Sequence, residues 1–327
     1  MLEFVHDTLQ DELGADGLPA LMRETFIQQL IVSAKQDDRI MALDSDCAGS
    51  SGYTAFGAQF PDRFINCGIA EANMTGIAAG LSLMGKLPFT HAFGVFATRR
   101  ACDQIALSCA YTNANVRIVG TDPGVCASLN GGTHMPFEDM AVLRGIPGVT
   151  LIEPTDSVML RGIFDELTGM HGVVYIRLKR KTTPAIYKDG ATFKIGKANL
   201  VREGSDVTLI ASGIMVAEAV IAAQELAQIG ISARVVDMFT WKPLDNEMVA
   251  TCARETGAIV TCENHNIIGG LGEAVSAAVC ATTPCPVERV GVNDTFGEVG
   301  SEGYLKEKFG LTAAEIVAAA KRVVERK

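Results

Sequence analysis

Short apolar runs alternate with stretches of helical spacing along most of this chain, and that alternation restricts the fold more than any other feature. Runs at 40–43, 64–67, 89–92, 116–120, 149–152 and 173–176 read as strands. Helices are expected over 21–36, from about 97 to 110, and over 155–167, where Thr155 is a suitable N-cap. A second series follows, with strands at 207–210, 233–236, 258–261 and 287–290 and helices at 215–228, 245–255, 272–280 and from 312. Strands that alternate with helices form parallel sheets covered on both faces. The expected fold is α/β, with two parallel-sheet three-layer domains: residues 1–190, including an N-terminal arm over 1–19, and residues 191–327. The stretch 182–203, with Pro184 and Gly190, reads as linker and edge.

Hydrophobic residues make up 48% of the 327 positions and charged residues 20%, which suits a soluble protein with a large core. A net charge of −10 weighs against general affinity for nucleic acid or an acidic membrane. The nine cysteines include no Cys-x-x-Cys pair, so they read as reduced core residues of a cytoplasmic protein. The N-terminus lacks a signal-peptide pattern, and no apolar run is long enough to span a membrane.

The stretch from Asp62 to Phe89 holds the most informative acid. An apolar run leads to a turn at Gly68, and Glu71 then opens a helix that is apolar nearly all round through Met74, Ile77, Ala78, Leu81 and Met84. Such helices are expected to be buried. Glu71 is then either a charge at the positive end of a helix dipole or a buried acid with a chemical task. In open α/β sheets ligands lie beyond the carboxyl ends of the strands. Those ends carry 44–50, 68–71, 90–96, 121–134 and 177–181. No dinucleotide fingerprint, Walker loop, metal-spaced histidine set or nucleophile elbow occurs.

Several motifs stand in order: 64–74 around Glu71, Phe93-Gly-Val-Phe96, Arg99-x-x-x-Asp103-Gln104, Gly131-Gly-Thr-His134, and 263–272 in the second half. Together they resemble the transketolase family of thiamine-diphosphate enzymes, from about Arg23 to the end. The resemblance implies a pyrimidine-binding domain followed by a transketolase C-terminal domain. Glu71 would hydrogen-bond N1′ of the aminopyrimidine, because a carboxyl kept from water can share a proton with a ring nitrogen. Phe93 and Phe96 would form the wall for that ring, and Arg99 would stand beside it, as in the deoxyxylulose-phosphate synthase branch. His134 would contact substrate oxygen near the reacting carbon. Arg23, Ser50 and Arg180 fall where the family binds a distal phosphate, although the basic tract 177–181 on its own reads as a solvated edge.

Departures from the family lie where the sugar is expected. Asn130 replaces an Asp four residues before the loop histidine, and Thr121 stands near a position that often holds a phosphate-binding histidine. The Gly-Asp-Gly of the diphosphate domain does not occur. The resemblance therefore implies the C-terminal subunit of a split transketolase. An N-terminal partner would supply the diphosphate and magnesium site, the C-terminal domain would self-associate, and the assembly would be α2β2. Glu263 and His265 would be interface or structural residues. The expected reaction moves a two-carbon ketol unit from a ketose, commonly phosphorylated, to an aldose. The rivals are the β subunit of a 2-oxo acid dehydrogenase, a deoxyxylulose-phosphate-synthase-like enzyme, and a non-catalytic scaffold.

Overall fold

The structure is a computed structural model and describes residues 21–327; the arm expected over 1–19 lies outside them. Twelve strands among the described residues form two sheets. They are β1 (Ile40–Asp44), β2 (Phe64–Asn66), β3 (Leu87–Phe93), β4 (Val116–Thr121), β5 (Val149–Ile152), β6 (Val173–Leu178), β7 (Asn199–Arg202), β8 (Val207–Ala211), β9 (Ala233–Asp237), β10 (Thr240–Lys242), β11 (Ile259–Asn266) and β12 (Val287–Val292). The first sheet has the order β10-β5-β6-β4-β3-β1-β2 and the second β12-β11-β8-β9-β7. Pairing is parallel except at β10–β5 and β7–β9. The longer helices are α1 (Met22–Gln36), α2 (Glu71–Leu83), α3 (Met215–Gln228), α4 (Asn246–Thr256), α5 (Leu271–Ala281) and α6 (Ala313–Val324).

Strand residues point alternately into two apolar layers, as the period of two requires. Ile40 and Ala42 of β1 join a layer with Phe26 of α1, while Met41 and Leu43 join a layer with Met74 of α2. The first layer continues into Val220 of α3 and Ile316 of α6, and the second into Val249 of α4 and Val275 of α5. Each core layer thus runs through both sheets, which makes the two halves one packed body. Strand β10 strengthens the join. It follows β9 of the second sheet yet pairs with β5 of the first, Thr240 opposite Ile152.

Sequence periodicity misses β7 and β10, which are four and three residues long. The helix expected from about 97 to 110 is broken. A short turn at Gly94–Ala97 gives way to a tight 3-10 turn at Arg99–Ala101, and Ile105–Tyr111 is wound more widely, as a π-helix. The cap before the helix at Ser157–Gly162 is Asp156, whose Oδ1 accepts from Met159 N at 2.8 Å. Thr155 instead donates to Asp237 at 2.7 Å. Helix α2 is not buried all round. Glu71, Met74, Thr75, Ala78 and Ala79 are inside, but Leu83 is 70% exposed and Met84 beyond it 80%.

The tract 177–181 is mostly interior. Arg177 is fully buried and donates to Asp139 and Glu153 at 2.9 and 2.8 Å, and to the carbonyls of Pro136 and Asn264. Burial opposes its charge, but the two carboxylates outweigh that and hold the guanidinium above its ordinary pKa. Lys179 pairs with Glu302 at 2.8 Å. The acids that make this run an interior one come from distant segments, so the local pattern of a solvated edge was misleading.

Candidate active site

The carboxyl ends of β1, β3, β4 and β6 converge with the start of α2. Strand β2 ends at Asn66, whose Oδ1 accepts from Gly68 N at 2.9 Å, and the turn delivers Glu71 as the first residue of α2. Unpaired N–H groups at a helix start favour a negative charge. Glu71 is 3% exposed, and both its oxygens accept from Arg100 Nη1, at 2.8 and 3.0 Å.

The Arg100 guanidinium lies 4.0 Å above the Phe96 ring. Phe96 meets Phe93 edge to face at 6.4 Å, and the His134 ring lies 5.1 Å from Phe96 and 5.5 Å from Phe93. Arg180 stands 4.9 Å from the centroid of Phe93. Glu71, Arg100, Phe96, His134, Phe93 and Arg180 therefore form one connected wall. It carries a buried acid at one end, a half-buried imidazole in the middle and a cation at the other end. His134 Nδ1 is within 2.9 Å of Thr133 Oγ1, which fixes the ring. The loop bearing His134 is pinned from the second half of the chain. Asn264 accepts from Val125 N at 3.0 Å and donates to Pro123 O at 2.9 Å. Gly124, at φ +46, lies so close to Asn264 that a side chain would collide with it.

Arg23 and Arg180 adjoin, with Arg23 N donating to Arg180 O at 3.4 Å, and Arg23 Nη1 reaches Ser50 O at 3.2 Å. Ser50 Oγ donates to Cys47 O. Asn130 is exposed on the loop that leads to His134. Arg99 is placed elsewhere. It pairs with Glu138 at 2.6 Å and lines a cleft of about 270 Å³ with Glu138, Met135, Asn266 and Phe296, whereas Arg100 reaches Glu71.

Three groups at or near the site were not singled out from the sequence. Arg100 was hidden by the break in helical phase after Ala97. Asp122 accepts from Arg180 Nε at 2.7 Å. Buried His91 joins Asp44 at 2.8 Å to Thr121 at 3.1 Å. Asp44 and His91 are register partners on β1 and β3, so pairing the strands would have brought them together.

Residues 19–185 match the family model described as "Transketolase, pyrimidine binding domain", and residues 196–316 match "Transketolase, C-terminal domain". The chain belongs to the transketolase family. It is 54% identical, over 94% of its length and 95% of the relative's, to the 6-deoxy-6-sulfo-D-fructose transketolase subunit SqwH of Clostridium sp. (strain MSTE9). It is 36% identical to one of the subunits of the apulose-4-phosphate transketolase of Phocaeicola vulgatus, covering 93% of this chain and 97% of that one. A solved split gene transketolase, an inactive beta4 tetramer, matches with a TM-score of 0.87 and 41% identity over 94% of this chain and 99% of that one. The protein is a subunit of a split transketolase and hence part of a transferase. The 2-oxo acid dehydrogenase and deoxyxylulose-phosphate-synthase readings are not favoured.

Proposed function

We propose that this subunit holds the pyrimidine end of thiamine diphosphate and the ketose of a transketolase reaction. The connected wall from Glu71 to His134 carries that reading. A buried carboxylate beside two aromatic edges fits the rim of an aminopyrimidine, since its oxygens already accept from a cationic N–H donor. When bound, the coenzyme supplies the nucleophilic carbon that breaks and remakes the carbon–carbon bond of the ketose. Glu71 would hold a proton at the ring nitrogen, Phe93 and Phe96 would orient the ring, and His134 would donate to substrate oxygen.

The residues present do not fit the diphosphate end. Among the described residues no three His, Cys, Asp or Glu side chains converge as a metal set. A partner subunit with the diphosphate-binding domain would bring that end and its magnesium. Apolar side chains left uncovered on this chain, among them Ile69 at 77% and Tyr111 at 86% exposure, support docking of another chain. The solved β4 tetramer supports self-association of this type of subunit, and two copies with two partners is the assembly we favour. Nine free cysteines support a reducing, cytoplasmic setting. No helix among the described residues is long and apolar enough to cross a membrane.

The name of the 54% identical relative supports a ketose with an anionic far end, a sulfonate in that case. Arg23 and Arg180 would meet this end, while Ser50 and Asn130 would lie along the sugar. The two domains would divide near residue 190. The test is the reconstituted two-subunit enzyme given ketose and aldose. Glu71→Gln should lower transfer by about 10³-fold, within the range for loss of a positioned proton-transfer group, with assembly intact. An unchanged rate would remove the role given to Glu71.

A further inference from the structure

Arg180 enters the site already neutralised. Its Nε donates to Asp122 Oδ2 at 2.7 Å, and its guanidinium is stacked on Phe93. Asp122 follows β4 directly and is 1% exposed. Its backbone has φ +59, a left-handed conformation that Asp and Asn tolerate better than other side chains. Asp122 N donates to Leu178 O at 3.1 Å, so the residue is fixed between β4 and β6. Its second oxygen, Oδ1, is buried and has no hydrogen-bond partner among the described residues. A buried carboxylate oxygen without a donor is costly to keep. The fold therefore keeps a buried negative charge on Arg180, one of the cations that would face the far end of the sugar.

The charges on these side chains decide what that end can be. Arg23 and Arg180 are adjacent through the Arg23 N to Arg180 O bond, and nearby Lys179 is paired with Glu302. With Asp122 on Arg180, two guanidinium charges are offset by one carboxylate, which leaves a net of one positive charge. A sulfonate is a monoanion throughout the neutral range. A phosphate monoester, with its second pKa near ~6, is mainly a dianion at pH 7. The dianion would bring a second negative charge against the buried Asp122 carboxylate.

We infer that Asp122 sets the charge selectivity of this subsite, favouring a ketose that ends in a monoanionic sulfonate over the same ketose ending in phosphate. This deepens the proposed function and rests on it. The reconstituted enzyme is given the 6-sulfonated and 6-phosphorylated ketose in turn, and the ratio of their kcat/KM values is compared between wild type and Asp122→Asn. Asparagine keeps the left-handed backbone and an acceptor for Arg180 but removes the charge. The ratio should fall toward the phosphate by about tenfold, chiefly through KM for the phosphorylated sugar, because like charges repel strongly in a desolvated contact. A purely structural role would lower both rates together, and a constant ratio would overturn the inference. Wild-type enzyme supplies a second measurement that needs no folded variant. Ethanesulfonate should compete with substrate more strongly than ethyl phosphate, and the reverse order would overturn the inference as well. Failure of wild type to turn over either sugar would strike at the proposed function instead.

Discussion

Glu71 and Glu263 are both buried acids beside the start of a helix, yet they are satisfied in opposite ways. Glu263 lies on β11, and its oxygens accept from Leu271 N at 2.7 Å and Gly272 N at 2.9 Å, the opening N–H groups of α5. Gly270 packs so closely on this carboxylate that no side chain fits there. Burial pushes the Glu263 carboxyl up to about 8, against the pull of those two backbone donors. Glu71 has no such backbone donors among the described residues. Its oxygens are held by Arg100, a side chain that is 47% exposed. Backbone partners make an acid part of the scaffold. A replaceable side-chain partner leaves it available to a ligand. The same contrast separates His265, buried with its pKa lowered to about 4, from half-buried His134 on the aromatic wall.

The largest expected effect is the loss of transfer in Glu71→Gln, with no matching loss of stability. Glu263→Ala should do the reverse. Two buried N–H groups left without an acceptor cost about 1–3 kcal/mol each, so the thermal midpoint should drop by several degrees. Turnover per assembled enzyme should stay near wild type. If Glu263→Ala abolished turnover in folded, assembled enzyme, the division between the two acids would be wrong.

How far this contrast could be read from the sequence depends on the range of the interactions. The two strand–helix series and the position of Glu71 after Gly68 are local patterns, and the structure contains both. The resemblance implies that Glu263 is an interface or structural residue, but its backbone partners follow only once β11 and α5 are packed. Arg99 and Arg100 are neighbours, and only the 3-10 turn at Arg99–Ala101 followed by the π-helix decides which one reaches Glu71. The tract 177–181 looked solvated because Asp122, Asp139, Glu153 and Glu302 come from other segments. The exposed apolar end of α2 departs from periodicity for a related reason, since a single sequence does not say which apolar face its own chain covers.

Asp237 extends the comparison to a third buried acid. Its Oδ2 accepts from Thr155 at 2.7 Å and Tyr187 at 2.8 Å, while Oδ1 has no partner among the described residues. Burial raises its pKa to about 7, against those two donors. Between pH of about 4 and 7 the folded chain therefore holds a proton that the unfolded chain has released. This group's contribution to stability must fall as pH rises through that window and then level off. At about 1.4 kcal/mol per pKa unit, the change across the window is a few kcal/mol. Asp237→Asn keeps an acceptor for both hydroxyls, so its gain over wild type should grow from pH 5 to pH 8 in thermal melts. A difference that does not vary with pH would mean that Asp237 ionises freely in the fold.

Arg100→Gln is the most direct test of the replaceable partner. Arg100 is half exposed, but Glu71 is buried and would lose its guanidinium donor, so the substitution should cost about 1–3 kcal/mol. Arg100 covers both oxygens of Glu71, and on the proposed reading a ring nitrogen of the coenzyme would displace it from at least one. Without that competitor the apparent KM for coenzyme in the reconstituted enzyme should fall by about threefold, less than the tenfold that corresponds to 1.4 kcal/mol, with a smaller change in kcat. Stacking on Phe96 gives the released guanidinium somewhere to remain, since cation–π contact is worth about 0.5–1 kcal/mol at exposed sites. A tenfold rise in coenzyme KM would reverse the argument: Arg100 would then be a fixed part of the coenzyme site, and Glu71 as tightly committed to its partner as Glu263 is.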